Sequence, residues 1–473
     1  MSLTRRSALA LGAGAVALPA IGAPRSRIDV AIVGAGLSGL HAARLLEAEG
    51  YKVGVFEASN RIGGRILTFD DLPGSPNGGG TQIGASYARM RKTCEDLGVA
   101  TVESREADSR DACFHIGGRL FAQTDWEGAP ENTLPAALKK MPPGLVLARL
   151  AASDNPLSDV TVWRDAAHQA RDISADAFLS AKGLDAKARA LVDVGLNANA
   201  LSTYSMLNIW RTLTVFALDR ELGAIIVARD GTQRVPEAMA KSLQGEVRLN
   251  AKVTRITAKR NGAELTLANG ASVCAGFVVC TIPFAALNGV ALDAPLAPVQ
   301  RAAMAGLPYT QILQLHIAAD GAFWEKDGRP AEMWTDGPLE RVFVGRDRAT
   351  RQPNGLLLSW INGTGAMALK GKSDAELETL VRSEIMRLRP ASEGKVRLLR
   401  VVRWTADNPL AGGAYMHWGP GQVKDWAGVM GARAGRLHFA GEHLSYLNTG
   451  MEGAFESGEA AAFEVFEASQ ARK

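Results

Sequence analysis

Gly34, Gly36 and Gly39 stand in the spacing G-x-G-x-x-G between the apolar run DVAIV and the stretch LSGLHAARLL, and Glu57 closes a second apolar run about twenty residues later. Residues of these types in this order bind a dinucleotide. The first glycine permits a tight turn, the second lets a pyrophosphate approach the backbone, and the third packs helix on strand, while the carboxylate takes ribose hydroxyls. Ser38 within the turn and Ala58 after the acid belong to the same expected contact set. An acid at position 57 also repels a 2′-phosphate, which disfavours NADP. The residues that follow, Arg61, Gly63, Gly64 and Arg65, add cations and bare backbone. A nicotinamide site has no general need of them, whereas a longer, buried dinucleotide does.

The elements that must position these groups are legible in part. RIDVAIVGAGLSGLHAARLLEAEGYKVGVFEASN predicts strand, glycine turn, helix and a second strand ending at Glu57, which is one βαβ unit. From about 130 to 220 the chain is rich in Ala and Leu at helical spacing. GEVRLNAKVTRITAKRNGAELTLANGASVCAGFVVCTIP alternates apolar and polar residues through Asn-Gly turns at 261 and 269, so it predicts hairpins feeding a buried strand. Beyond Pro283, QILQLHIA and GLLLSWI read as strands, and Ser373 with Glu376 forms a capping box that announces a helix over 374–388. The last segment runs strand, glycine turn, loop and long helix. The expected fold class is therefore α/β. A Rossmann-like nucleotide-binding domain is assembled from three separated segments, 27–95, 225–290 and 425–468, and an inserted α+β domain, 96–224 and 291–424, shapes the substrate site.

With these motifs in this order the chain resembles the flavin-containing amine oxidase family. The resemblance continues through TQIGASYARM, ARDGTQRVPEAMAKSL, VRLNAKVTRI, RWTADNPLAGGAYMHW and LHFAGEHLSYLNTGMEGAFESGEAA. It implies an amine oxidase-like two-domain fold with FAD held by Glu57, Gly64 and Arg65 along ribose and diphosphate. It places Ala85 and Ser86 beside the flavin ring, Val253 against adenine through its backbone, Trp404 in the cofactor set and Glu442 at the ribityl chain and diphosphate. Met451 begins a helix whose amino end faces the flavin pyrimidine, where unpaired N–H groups and the helix dipole suit negative charge. Three departures stand out. Ala414 occupies the place of the cysteine that bonds flavin in covalent members, so the FAD is expected to be non-covalent. Gln314 stands where many members have a lysine that orders a water at flavin N5; an amide can order a water but carries no charge. Tyr415 supplies one wall of an aromatic cage whose second place falls on Gly450, leaving Trp360 or Tyr446 to fill it. His443 in GEH is expected to border the flavin rather than act as a base.

The chemistry implied by the resemblance is oxidation of an amine. A dry aromatic pocket favours the neutral amine, hydride passes from the carbon beside nitrogen to flavin N5, and water hydrolyses the resulting imine. L-amino acid oxidation is the alternative, favoured by GEH. The arginine that many such enzymes use for the substrate carboxylate aligns with Tyr87, and Arg89, two positions on, is the expected substitute. A flavin-binding or assembly protein without turnover is the reading from another class, because fold does not guarantee function. The electron acceptor expected is O2 or a cytochrome or quinone.

The whole chain sets bounds on these readings. Its 473 residues, 47% apolar and 22% charged, suit a soluble globular protein with room to bury a large cofactor. The formal charge of +4, or 4 − 2 = +2 without Arg5 and Arg6, recruits no nucleic acid. LTRRSALALGAGAVALPAIGA reads as a twin-arginine leader, residues 1–23, which implies the Tat export machinery and a periplasmic or secreted protein. Folded export would let a non-covalent cofactor travel inside the protein. The four cysteines show no C-x-x-C and no zinc-ligand spacing, so no metal is expected; a disulfide and a homodimer are both left open.

Overall fold

The computed structural model describes residues 28–104, 112–348 and 350–470; the leader expected over 1–23 lies outside them. The strand Ile28–Val33 is buried from Val30 onward and runs parallel to Val53–Phe56 on one side and to Ser272–Cys280 on the other. At its end Gly34 turns the chain with φ +108°, and a Cβ there would lie 2.4 Å from the Thr281 hydroxyl. The helix Leu37–Ala48 then starts at Gly36 with no side chain capping its amino end. Gly39 sits so close beneath the turn that a Cβ would fall 2.1 Å from the Gly34 carbonyl oxygen, which is the helix-on-strand contact the spacing predicts.

These elements belong to an eight-stranded sheet that also takes Val247–Arg248, Val253–Lys259, Gly262–Leu267, Ala291–Asp293 and Leu437–Phe439. Both Asn-Gly turns make hairpins: Lys259 pairs with Gly262, and the Asn269 side chain accepts from the Ala271 N–H at 3.1 Å. The final helix, Gly450–Gln470, crosses the first helix at a point where Gly458 meets the Ser38 backbone.

A second, seven-stranded sheet runs in the order Val396–Trp404, Ile312–Ala319, Pro353–Asn362, Arg341–Arg346, Glu332–Thr335, Ala112–Ile116 and Arg119–Ala122. Along Ile312–Ala319 the side chains alternate between its faces. Leu313, Leu315 and Ile317 pack on Leu377, Val381 and Ile385 of the helix Asp374–Leu388, whose capping box forms as expected, with Ser373 Oγ accepting from the Glu376 N–H and Glu376 Oε2 accepting from the Ser373 N–H. Ile312, Gln314 and His316 face the other way, His316 reaching Phe69 edge-on at 5.2 Å. Helices at Pro143–Ser153, Ala175–Ala181, Ala186–Asp193 and Met206–Leu222 account for the Ala/Leu-rich stretch. The mixture of a largely parallel sheet with crossing helices and a second, mostly antiparallel sheet, in which only Glu332–Thr335 and Ala112–Ile116 run parallel among the described residues, is an α/β architecture.

Candidate active site

The glycine loop and the arginine-rich stretch after Glu57 are locked together by backbone. The Gly63 N–H donates to the Ala35 carbonyl at 2.8 Å, and Gly64, at φ +58°, lies so that a Cβ would stand 3.5 Å from Gly36 Cα. A Cβ on Gly36 itself would meet nothing within 4 Å, so open space remains in front of the uncapped helix end. Glu57 beside it is held by three donors: Ala35 N–H at 2.8 Å to Oε2, and Ser59 N–H at 2.9 Å and Oγ–H at 2.8 Å to Oε1. Arg61 turns inward onto the carbonyls of Ile62, Gly64 and Ile66, so it shapes the glycine turn and is not a solvated charge. The chain before Val253 runs alongside, with Asn250 N–H on the Ser59 carbonyl and Ala251 N–H on the Glu57 carbonyl, both 2.8 Å. Val253 is buried and begins its strand at a register shift, while Ala58 is half-buried at this same end.

Arg65 carries the site across to the second sheet. Its Nη1 donates to Glu442 Oε1 at 2.9 Å and to the Ala414 carbonyl at 3.0 Å, and the Met416 N–H donates to that same Oε1 at 2.9 Å. Tyr415 is thus fixed from both neighbours. His443, next to Glu442, is buried against Phe284 with ring centroids 4.3 Å apart; burial first, and the Arg65 charge second, pull its pKa down to about 3. The imidazole is therefore neutral at ordinary pH, and neither ring nitrogen has a partner among the described residues.

At the amino end of the final helix, Met451 is buried, and its sulfur would lie 2.9 Å from a Cβ on Gly80. Tyr87 reaches the same end, its hydroxyl bonded to Thr449; burial, then Asp219 and Glu452, push the phenol up, so it stays neutral. Ala85 is half-buried, and the Ser86 N–H donates to Asp219 Oδ1 at 2.7 Å while its Oγ is shielded and without a partner among the described residues. Asp219 was not foreshadowed by any motif. A lone acid in a helix has no spacing signal, and only the approach of Gly84, where a Cβ would fall 2.5 Å from the carboxylate, reveals its place.

Gln314 stands opposite Trp360 and Val402, and Ile312 opposite Trp404, so these side chains share one sheet face. Phe69, Trp360, Trp404, Ala414 and Tyr415 gather on that face, with Trp404 Nε1 donating to the Gly78 carbonyl at 2.6 Å. Gln314 is 1% exposed, and its Oε1 has no partner among the described residues; nor does Trp360 Nε1. Burial, with Tyr204 second, raises the Tyr415 phenol well above its ordinary range.

The structure separates the two residues expected to complete the cage. Trp360 joins the Tyr415 cluster, whereas Tyr446 packs on Trp163 at 6.5 Å and on Arg164, is 37% exposed, and spends its hydroxyl on the Thr161 carbonyl. Arg89 also departs from the expectation of a carboxylate-binding group. Its fork is occupied by Glu459, at 2.9 and 3.1 Å, and by Glu452 at 3.3 Å, which ties the helix Ala88–Asp96 to the final helix. Three of its five N–H donors and its charge are thus already engaged by two carboxylates, which leaves it poorly suited to a third.

Comparison with known proteins places this geometry. The family described as flavin containing amine oxidoreductase matches residues 37–466. An L-amino-acid oxidase of the fish Siganus canaliculatus is 25% identical over 92% of this chain and 85% of its own. A chain of Mycobacterium tuberculosis assigned as a flavin-containing monoamine oxidase is 28% identical, covering 93% of this chain and 97% of its own. Among solved structures, a putrescine oxidase variant superposes with a TM-score of 0.75 over 93% of this chain and 99% of its own at 22% identity. Cyclohexylamine oxidase from Brevibacterium oxydans does so at 0.73 over 94% and 100%, also at 22%.

Proposed function

The chain belongs to the flavin-containing amine oxidoreductase family, and from that premise we propose that it is an exported enzyme that oxidises an amine at the carbon beside nitrogen with non-covalently bound FAD. The residues present fit that cofactor. Open space lies before an uncapped helix end at Gly36, a carboxylate with fixed geometry waits at Glu57, and the His443 nitrogens and Ser86 Oγ are buried without protein partners. Gly34, Gly36, Gly39 and Gly64 would admit the diphosphate, Glu57 the ribose, Val253 the adenine, Glu442 the ribityl chain, and Ala85, Ser86, Trp404 and the amino end at Met451 the ring. The segments 27–95, 225–290 and 425–468 then make the cofactor domain, and 96–224 and 291–424 the substrate domain. When bound, FAD supplies the two-electron acceptor that amine oxidation needs.

The observation that carries the reading is the joint at Arg65 and Glu442. By pinning Ala414 and Met416 it fixes Tyr415 on the same face as Gln314 and Trp360. Two aromatic walls and one neutral amide form a pocket that desolvates an ammonium group and so favours the free amine, the form able to release hydride. Tyr415, held neutral by burial, orients the nitrogen rather than taking its proton. Gln314 can order a water through its free Oε1 without adding charge. The stretch that reads as a twin-arginine leader supports a periplasmic or secreted enzyme, with O2 or a cytochrome or quinone as acceptor.

Anaerobic mixing of the yellow protein with a panel of amines and amino acids tests this: bleaching with at least one class is expected. A flavin that no compound on a broad panel reduces refutes it. Acid precipitation should leave the colour in solution, since position 414 is alanine; colour carried down with the polypeptide refutes the non-covalent site. The rate of recovery on admitting air separates O2 from another acceptor.

A further inference from the structure

One arginine on the substrate face lacks an acid to match it among the described residues: Arg341 lies over the Phe343 ring, 6.0 Å from its centroid, with no ion pair. Arg341 stands directly across from Trp360, which stands across from Gln314, so the three form a row on the face that meets Tyr415. At strand spacings of about 4.8 Å, Arg341 leaves the backbone about 10 Å from Gln314, within reach of a small bound molecule. Its Nε and Nη2 are shielded from solvent and neither has a hydrogen-bond partner among the described residues.

The neighbouring acid, Glu340, acts on it through charge but makes no hydrogen bond to it among the described residues. Glu340 Oε2 accepts from the Asn362 N–H at 2.9 Å, and its carboxyl, raised by burial to about 7, is directed to that backbone. Room for the guanidinium is made by Gly195, at φ +70°, where a Cβ would fall 2.8 Å from Nε and 3.0 Å from Cδ. Burial depresses the Arg341 pKa, and Tyr415 and Glu340 act against that shift. A permanently charged fork with two shielded, unmet donors is costly to keep, and a planar anion is the ligand whose geometry meets it.

We propose that Arg341 receives the carboxylate of the substrate, so that the amine oxidised here is an amino acid rather than a simple amine. This rests on the amine-oxidation reading above. It also assigns the carboxylate to a different element from the one that bears Tyr87 and Arg89. The fork accepts an α-carboxylate or the distal carboxylate of an ω-amino acid through the same pair of hydrogen bonds.

The test uses the full-length holoenzyme and anaerobic flavin bleaching with matched pairs: an α-amino acid against its amide, and an ω-amino acid against the amine lacking the acid. The acid member of one pair should reduce the flavin at far lower concentration, and which pair shows this separates the α from the ω source. Arg341→Met should weaken the apparent affinity for the acid on the order of 100-fold and collapse the acid-to-amide ratio toward one. Arg341→Lys, which keeps charge but not the fork, should fall between. Perturbation of the flavin spectrum by benzoate but not benzamide gives a readout independent of turnover, and it applies to the wild type if Arg341→Met does not fold. Equal use of acid and uncharged partners, benzamide binding as well as benzoate, or an Arg341→Met protein that keeps the wild-type ratio overturns the proposal. If no amine bleaches the flavin, amine oxidation itself fails, and the benzoate comparison still decides the role of Arg341.

Discussion

Replacing Gly458 by alanine tests whether the crossing of the first and last helices sets the cofactor site. The added Cβ would stand 2.4 Å from the Ser38 carbonyl oxygen and 3.1 Å from Ser38 Cα and C. All three atoms are backbone, so no rotamer change relieves the clash. Restoring even a 3.0 Å contact needs the helices to part by at least 3.0 − 2.4 = 0.6 Å. Ser38 lies in the first turn after the glycine loop, and residue 458 is eight residues, about 12 Å, from the amino end at Gly450. Parting the helices therefore displaces both of the amino ends that would face the cofactor. Overpacking of this kind costs about 1–3 kcal/mol. If bound FAD demands the native spacing, its dissociation constant should rise by roughly 5- to 150-fold. Titrating the deflavinated variant with FAD, followed by quenching of flavin fluorescence, measures this, and thermal unfolding measures the stability loss. Gly128→Ala, where a Cβ meets nothing within 4 Å, is the control. A Gly458→Ala protein with an FAD affinity within twofold of wild type and an unchanged Tm would refute the reasoning.

Two further outcomes follow from the same structure. Burial lowers the pKa values of His41, His316 and His417 to about 4 and that of His443 to about 3, from an ordinary 6.5. Between pH 6.5 and 4 the unfolded chain takes up protons the folded chain refuses, so stability should fall as pH drops through that window. Glu340, raised by burial from 4.5 to about 7, opposes this, because it costs stability as pH rises from 4.5 to 7. Burial likewise raises Asp172, Asp193, Glu237 and Glu452 and lowers His115, so the large shifts of the four histidines are decisive and the urea midpoint should be lower at pH 4.5 than at pH 7.5; a midpoint that rises on acidification would contradict the burial argument. Arg65→Met removes the donors to Glu442 and Ala414 and leaves a carboxylate with a side chain only 10% exposed on the Met416 N–H alone. Loss of about 2–4 kcal/mol is expected, discounted for the partial exposure of Arg65, together with weaker FAD binding. Arg65→Lys should recover part of it, and an unshifted denaturation curve for Arg65→Met would show that the joint does not hold Tyr415 in place.

Much of the fold could be read along the chain because its signals are local. A turn glycine, a helix cap and an Asn-Gly hairpin each act over a few residues, so the βαβ unit, the Ser373 capping box and the hairpins at 261 and 269 appear where the residues announce them. The expectation for Tyr415 came from the motif AGGAYM and that for Gln314 from a gapless count between Pro308 and Phe323, so both rested on residue order along the chain. Arg89 misled because its neighbours in sequence say nothing about Glu452 and Glu459, which lie more than 360 positions away and reach it only through the packing of two helices. Trp360 and Tyr446 were indistinguishable as letters; strand pairing turned one toward Tyr415, and the loop before the last helix carried the other to Trp163.

What the chain announced by itself was thus the list of chemical parts and the expectation of a dinucleotide site, because short-range sterics and hydrogen bonding select for those residue types at those spacings. Tertiary structure alone decided which charges are spent and which remain available. Arg65, Arg89 and Arg341 are the same residue with the same charge, yet one bridges to Glu442, one is engaged by two acids, and one keeps two donors unmet among the described residues. Whether a carboxylate lies within hydrogen-bond reach of a guanidinium is settled by strand register and helix crossing, not by proximity in sequence.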